Sequence, residues 1–250
     1  MNHPVLRRAL CITLCLITST ALANAETRRQ TALSYVQLGD QFVENKEFDR
    51  AIRTYNLALQ FDTGLALAYY RRAFAQQARG DYKEAIADYT KTLEIVPECA
   101  EAFANRAYVL AMQQRDFDKA LEDWSSALNI NPKMKTVFND RGYLRLRQGD
   151  VERALADFDR AVESDPNYGL AYNNRGIARV GLGDLEGAIG DFTRALRLNP
   201  RFLEAYVNRG LVLLQQGMKR EAEKDFARAV ELKPSLGAII KHRIEQISQQ

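Results

Sequence analysis

Five of the six prolines, Pro97, Pro132, Pro166, Pro200 and Pro234, stand 35, 34, 34 and 34 residues apart, and this period is the tightest constraint on what the chain can fold into. Other columns keep the same step. Alanine recurs at Ala51, Ala85, Ala120, Ala154, Ala188 and Ala222, and a small residue at Gly39, Ala73, Ala107, Gly142, Gly176 and Gly210. Four residues after each alanine comes an aromatic: Tyr55, Tyr89, Trp124, Phe158, Phe192 and Phe226. Periods of this length mark a supersecondary unit that cannot bury its apolar face alone and must stack on copies of itself. No catalytic signature has this form.

Each column answers a packing need. A small residue on a first helix and an alanine on a second let two backbones approach, and the aromatic one turn after the alanine fills the space between them. Gly80, Gly149, Gly183 and Gly217 stand where the first helix must stop, in a left-handed cap that glycine adopts without steric cost. Two repeats depart from the pattern. Lys46 and Thr63 replace glycine and proline in the first, and Arg115 replaces glycine in the third, where one extra residue lies between Ala107 and Ala120. That insertion predicts a bulged first helix or a longer turn.

The unit, clearest as Tyr172, Gly176, Gly183, Ala188, Phe192, Ala195 and Pro200 and again as Tyr206, Gly210, Gly217, Ala222, Phe226, Ala229 and Pro234, resembles the tetratricopeptide repeat. The resemblance implies an all-α, right-handed α-solenoid of six helix-turn-helix repeats at 32–65, 66–99, 100–134, 135–168, 169–202 and 203–236, together 32–236. After Pro234, residues Leu236, Ile239, Ile240, Ile244 and Ile247 share a helical stripe, which predicts a capping helix over 237–250.

The N-terminus differs from the rest. Arg7 and Arg8 precede a short apolar run, followed by small residues at A-x-A spacing, which reads as a signal peptide over 1–25 cleaved after Ala23 or Ala25, with 26–31 as a linker. An uncleaved anchor or a twin-arginine signal is the alternative. The cleaved reading predicts a secreted protein, periplasmic if bacterial, with no membrane insertion after cleavage. It also removes Cys11 and Cys15, leaving Cys99 without an internal disulfide partner. Of 35 basic and 32 acidic residues, Arg7 and Arg8 leave with the signal, so the remainder is close to neutral and gives no electrostatic case for nucleic acid or an anionic membrane.

Two columns suggest function. Arginines Arg72, Arg106, Arg141, Arg175 and Arg209 accompany Asp88, Asp123, Asp157, Asp191 and Asp225, and the first repeat loses both charges together as Leu38 and Thr54. Joint presence and joint absence predict structural pairs within a repeat, or between repeats with Asp225 meeting Arg243. One position before the arginines stand Gln37, Arg71, Asn105, Asp140, Asn174 and Asn208. In long arrays of the family such residues line a concave groove, and the resemblance implies that an asparagine ladder there holds a peptide backbone. Phe74, Tyr108 and Tyr143, with Tyr70 and Asn139 nearby, are further candidates for that groove.

Enzyme signatures are absent: His3 lies in the signal and His242 in the cap, and the glycines recur singly. The chain therefore reads as a non-enzymatic scaffold for a protein or peptide, with no metal and no cofactor. Self-association, or an assembly factor serving several clients, is the alternative.

Overall fold

The computed structural model describes residues 4–248, with side chains over 24–113 and 115–242. Among the described residues every regular element is helical. Two compact units divide between Asp123 and Trp124.

The first unit holds α1 (Pro4–Glu44), α2 (Phe48–Phe61), α3 (Ala66–Arg79), α4 (Tyr82–Ile95) and α5 (Ala100–Val109), the last continued by a π-helical turn over Leu110–Gln114. Helix α6 (Phe117–Ile130) begins in it and ends in the second unit. That unit holds α7 (Lys135–Arg147), α8 (Val151–Ser164), α9 (Gly169–Gly181), α10 (Leu185–Leu198), α11 (Leu203–Gln215) and α12 (Lys219–Leu232), then a 3₁₀ turn at Pro234–Leu236 and α13 (Gly237–Ser248). From α1 to α5 and from α7 to α12 each helix packs on the next. The class is an all-α array of helix-turn-helix repeats.

The repeat columns form the core. All six aromatics from Tyr55 to Phe226 are buried, and the six alanines of their column are buried with them. The small-residue column follows from the same contact. A Cβ on Gly142 would sit 2.9 Å from Phe158 Cε1, one on Gly176 2.7 Å from Phe192 Cε1, and one on Gly210 2.6 Å from Phe226 Cε1. In these three repeats the helices cross too close for a Cβ, while Ala73 and Ala107 fill the position in the second and third. Where the buried aromatic is tyrosine, its hydroxyl needs an acceptor. Tyr55 OH donates to Asp40 Oδ1 at 2.7 Å and Tyr89 OH to Gln77 Oε1 at 2.9 Å.

Arg115 takes φ 57° and Lys46 φ 60°, the left-handed conformation that Gly80, Gly149, Gly183 and Gly217 take in the equivalent turns. The extra residue of the third repeat is absorbed by the π-helical turn immediately before Arg115. Residues 26–31, expected as a linker, lie inside α1. There Arg28 Nε and Nη2 donate to the carbonyls of Phe61 and Gln60, which the end of α2 leaves without helical partners.

Ile240 of α13 is buried against Leu213, Ala222, Phe226 and Ala229, so α13 covers the last helix pair. The side chains of Arg243, Ile244 and Ile247, and those of residues 1–23 within the segment expected over 1–25 as a signal peptide, lie outside the described residues. Among the described residues no helix is long and apolar enough to cross a membrane.

Candidate functional site

Each ladder arginine grips the aspartate of its own repeat with two parallel hydrogen bonds. Arg72 Nε and Nη2 donate to Asp88 at 2.6 and 2.7 Å, Arg106 to Asp123 at 2.7 and 2.8 Å, and Arg141 to Asp157 at 3.1 and 2.7 Å. Arg175 does so to Asp191 at 2.9 and 2.6 Å, and Arg209 to Asp225 at 2.7 and 2.6 Å. This fork geometry is available to arginine and not to lysine. The aspartates are buried, and a buried carboxylate without such a partner would be costly.

The third donor, Nη1, reaches the preceding repeat. It meets Asn56 Oδ1 from Arg72, Thr90 Oγ1 from Arg106, Ser125 Oγ from Arg141, Asp159 Oδ1 from Arg175 and Thr193 Oγ1 from Arg209. Each acceptor directly follows a column aromatic. One guanidinium therefore joins the helices of its own repeat and ties that repeat to its neighbour. Arg72, Arg106, Arg141 and Arg175 also lie over the rings of Tyr69, Phe103, Phe138 and Tyr172, 5.3 to 5.8 Å from the centroids. In two repeats a second arginine joins: Arg145 Nη1 is 2.7 Å from Asp157 and Arg179 Nη1 is 2.9 Å from Asp191. Each ladder arginine is thus held by the fold on three sides.

The asparagine column is also occupied. In the second unit Asn208 Nδ2 donates to Asn173 Oδ1 at 3.1 Å, Asn173 Nδ2 to Asn174 Oδ1 at 3.3 Å, Asn174 Nδ2 to Asn139 Oδ1 at 2.9 Å, and Asn139 Nδ2 to Asp140 Oδ1 at 3.3 Å. The chain of amides crosses from α11 to α9 to α7 and ends on a carboxylate. In the first unit Asn105 Nδ2 donates to Tyr70 OH at 3.0 Å. Asn139 and Asn174 are buried and spend these amides between repeats, while Asn105 and Asn208 are half-buried. An interior amide must find partners within the protein. Asn173 was not expected to take part.

Asp140 is the exception to this economy. It is half-buried, and burial pushes its carboxyl up to about 6, against which the Asn139 hydrogen bond acts only weakly. The Tyr168 phenol beside it is raised to about 12, by burial first and then by the Asp140 charge.

The aromatic candidates lie on the surface. Phe74 is 42% exposed, Tyr108 41% and Tyr143 38%, while Tyr70 is half-buried and packs its ring 5.8 Å from Tyr89. Ile177, at the same repeat position as these three, is exposed too. In the first unit Phe74 borders a depression of about 170 Å³ shared with Asp40, Val43, Glu44, Tyr55 and Arg71. Tyr70, with Leu67, Val96 and Cys99, borders an apolar one of about 310 Å³. Among the described residues no group of three or more His, Cys, Asp or Glu is arranged to hold a metal.

Family models described as tetratricopeptide repeat match residues 66–99, 107–172 and 173–236. The chain belongs to the tetratricopeptide repeat family. Among curated relatives, the photosystem I assembly protein Ycf3 of Prochlorococcus marinus is 35% identical over 87 residues, covering 34% of this chain and 50% of that protein. Human DnaJ homolog subfamily C member 3 is 36% identical over 98 residues, covering 39% of this chain and 19% of that protein. The chain thus spans half or less of the length of these relatives. Among solved structures, Pseudomonas aeruginosa PilF superposes with a TM-score of 0.76 at 18% identity, covering 88% of this chain and 99% of that one. YrrB, described as a TPR protein with an unusual peptide-binding site, superposes at 0.65 and 21% identity over 75% of this chain and 96% of its own. At these identities the likeness is one of fold.

Proposed function

We propose that the protein is a non-enzymatic docking scaffold that holds a protein or peptide against the first helices of its repeats. The observation that carries this reading is the column Phe74, Tyr108, Tyr143 and Ile177. In a fold that buries the aromatic column of its second helices almost completely, these side chains stand more than a third exposed at one first-helix position of successive repeats. Large apolar groups with a rigid ring and, for tyrosine, a polar tip bind at low entropic cost. The peptide-binding site named for YrrB supports the same use of the fold.

The site of action proposed is the periplasm, reached after cleavage behind Ala23 or Ala25. The form of the N-terminal segment supports it: Arg7 and Arg8, a short apolar run, then small residues. A second reading, an assembly factor that handles several clients, draws on the name of the Ycf3 relative. Affinity purification of the tagged protein from its native cell, with Tyr108→Ala beside the parent, tests the proposal. Loss of one dominant partner supports a dedicated scaffold, slight weakening of many supports the assembly factor, and an unchanged partner set removes the case for the first-helix face.

A further inference from the structure

Among the described side chains of α7 and α9, the basic ones are paired with carboxylates except Arg147, whose guanidinium lies 6.0 Å from the Tyr143 ring centroid. Lys135 pairs with Asp165 and lies over the Tyr168 ring, 5.3 Å from its centroid. Arg141 is held by Asp157 and Ser125, Arg145 by Asp157, and Arg147 Nη1 donates to Tyr143 OH at 3.3 Å. Arg175 and Arg179 of α9 both meet Asp191. Asp140 sits among them with one long hydrogen bond from Asn139 and, among the described residues, no ion pair. It occupies the column that holds Asn105, Asn174 and Asn208 in three other repeats. An asparagine there could accept the same hydrogen bond without bringing a charge into a half-buried place. The carboxylate therefore costs stability and is matched by nothing within its own unit. Residues that sacrifice stability in this way characterise binding sites.

Resting on the scaffold reading above, we infer that Asp140 recognises a lysine or arginine side chain of the bound peptide, with exposed Tyr143 one turn further along α7 covering the aliphatic stem of that side chain. The occupant is a peptide segment carrying a basic residue. Its charge supplies the counter-ion that Asp140 lacks, and desolvation of the carboxylate, already suffered in the free protein, is not repeated on binding. The phenol of Tyr168 and the Lys135–Asp165 pair face the same region, and neither offers a free cation.

Selection of a phage-displayed library of random 12-residue peptides on the full chain tests this. Recovered peptides are measured by fluorescence polarisation against the parent, Asp140→Asn, Tyr143→Ala and the control Asp159→Asn. The expected result is enrichment of Lys and Arg, with affinity falling at least tenfold in Asp140→Asn and unchanged in the control. Replacing the peptide's basic residue by Gln should weaken binding to the parent equally and leave binding to Asp140→Asn unaffected. Peptides without basic enrichment, or a Gln replacement that costs both proteins the same, would overturn the inference. If Tyr143→Ala still weakens those peptides, the scaffold reading survives. If Tyr143→Ala is silent as well, both fall.

Discussion

At the residue scale the decisive contrast is between Asp157 and Asp140, two carboxylates of neighbouring helices with opposite fates. Asp157 is buried and receives Arg141 and Arg145. Truncation to alanine strands two guanidinium groups, and loss of about 3–5 kcal/mol is expected in denaturant unfolding. Asp159→Ala, which removes only an exposed partner of Arg175, should cost less than about 1 kcal/mol. Equal effects would dismiss the ladder as a source of stability. For Asp140 the sign reverses. Its folded-state value of about 6 lies above the ordinary 3.8, so the folded protein binds the proton more tightly and stability falls as pH rises from about 4 to about 6. Asp140→Asn should match the parent near pH 4 and exceed it at pH 7.5 by about 2–3 kcal/mol. Thermal melts at the two pH values check this, and a variant that is less stable at pH 7.5 contradicts it.

At the scale of the element, the third repeat shows how a helix accommodates an insertion. Its extra residue widens one turn into a π-helix over Leu110–Gln114 and leaves Arg115 at φ 57°. A non-glycine residue there costs about 1 kcal/mol or more, of which glycine's extra freedom in the unfolded chain cancels about half. Arg115→Gly is thus expected to raise unfolding stability by about 0.5 kcal/mol, and a lowered midpoint would show that the Arg115 side chain contributes more than its backbone strain costs. Much at this scale was legible in the sequence. The turn glycines and the insertion are backbone signals, and the proline, alanine and aromatic columns are packing signals that recur six times or nearly so. The asparagines were harder to read, because a column of amides has the same pattern whether it faces a ligand or links repeats. What distinguishes the two is burial of Asn139 and Asn174, which depends on how closely neighbouring first helices pack. Arg145 and Arg179 stand four residues after Arg141 and Arg175, one helical turn along the same face, and that spacing could have found them. The polar acceptors after each aromatic, from Asn56 to Thr193, vary too much in type to form a visible column.

Across the whole molecule the repeated residues fall into those that hold the array and those left exposed by it. The buried aromatics, the arginine forks and the amide chain belong to the first group. Phe74, Tyr108 and Tyr143, each exposed on a first helix, belong to the second and form the proposed binding face. The most direct test is to place a photo-cross-linking amino acid at these three positions in the living cell, with Leu57 of α2 and Lys91 of α4, both exposed on second helices, as controls. The account predicts that Phe74, Tyr108 and Tyr143 cross-link to the same partner while the controls do not. Cross-links that are equally strong from Leu57 and Lys91, or absent from all three first-helix positions, would contradict it.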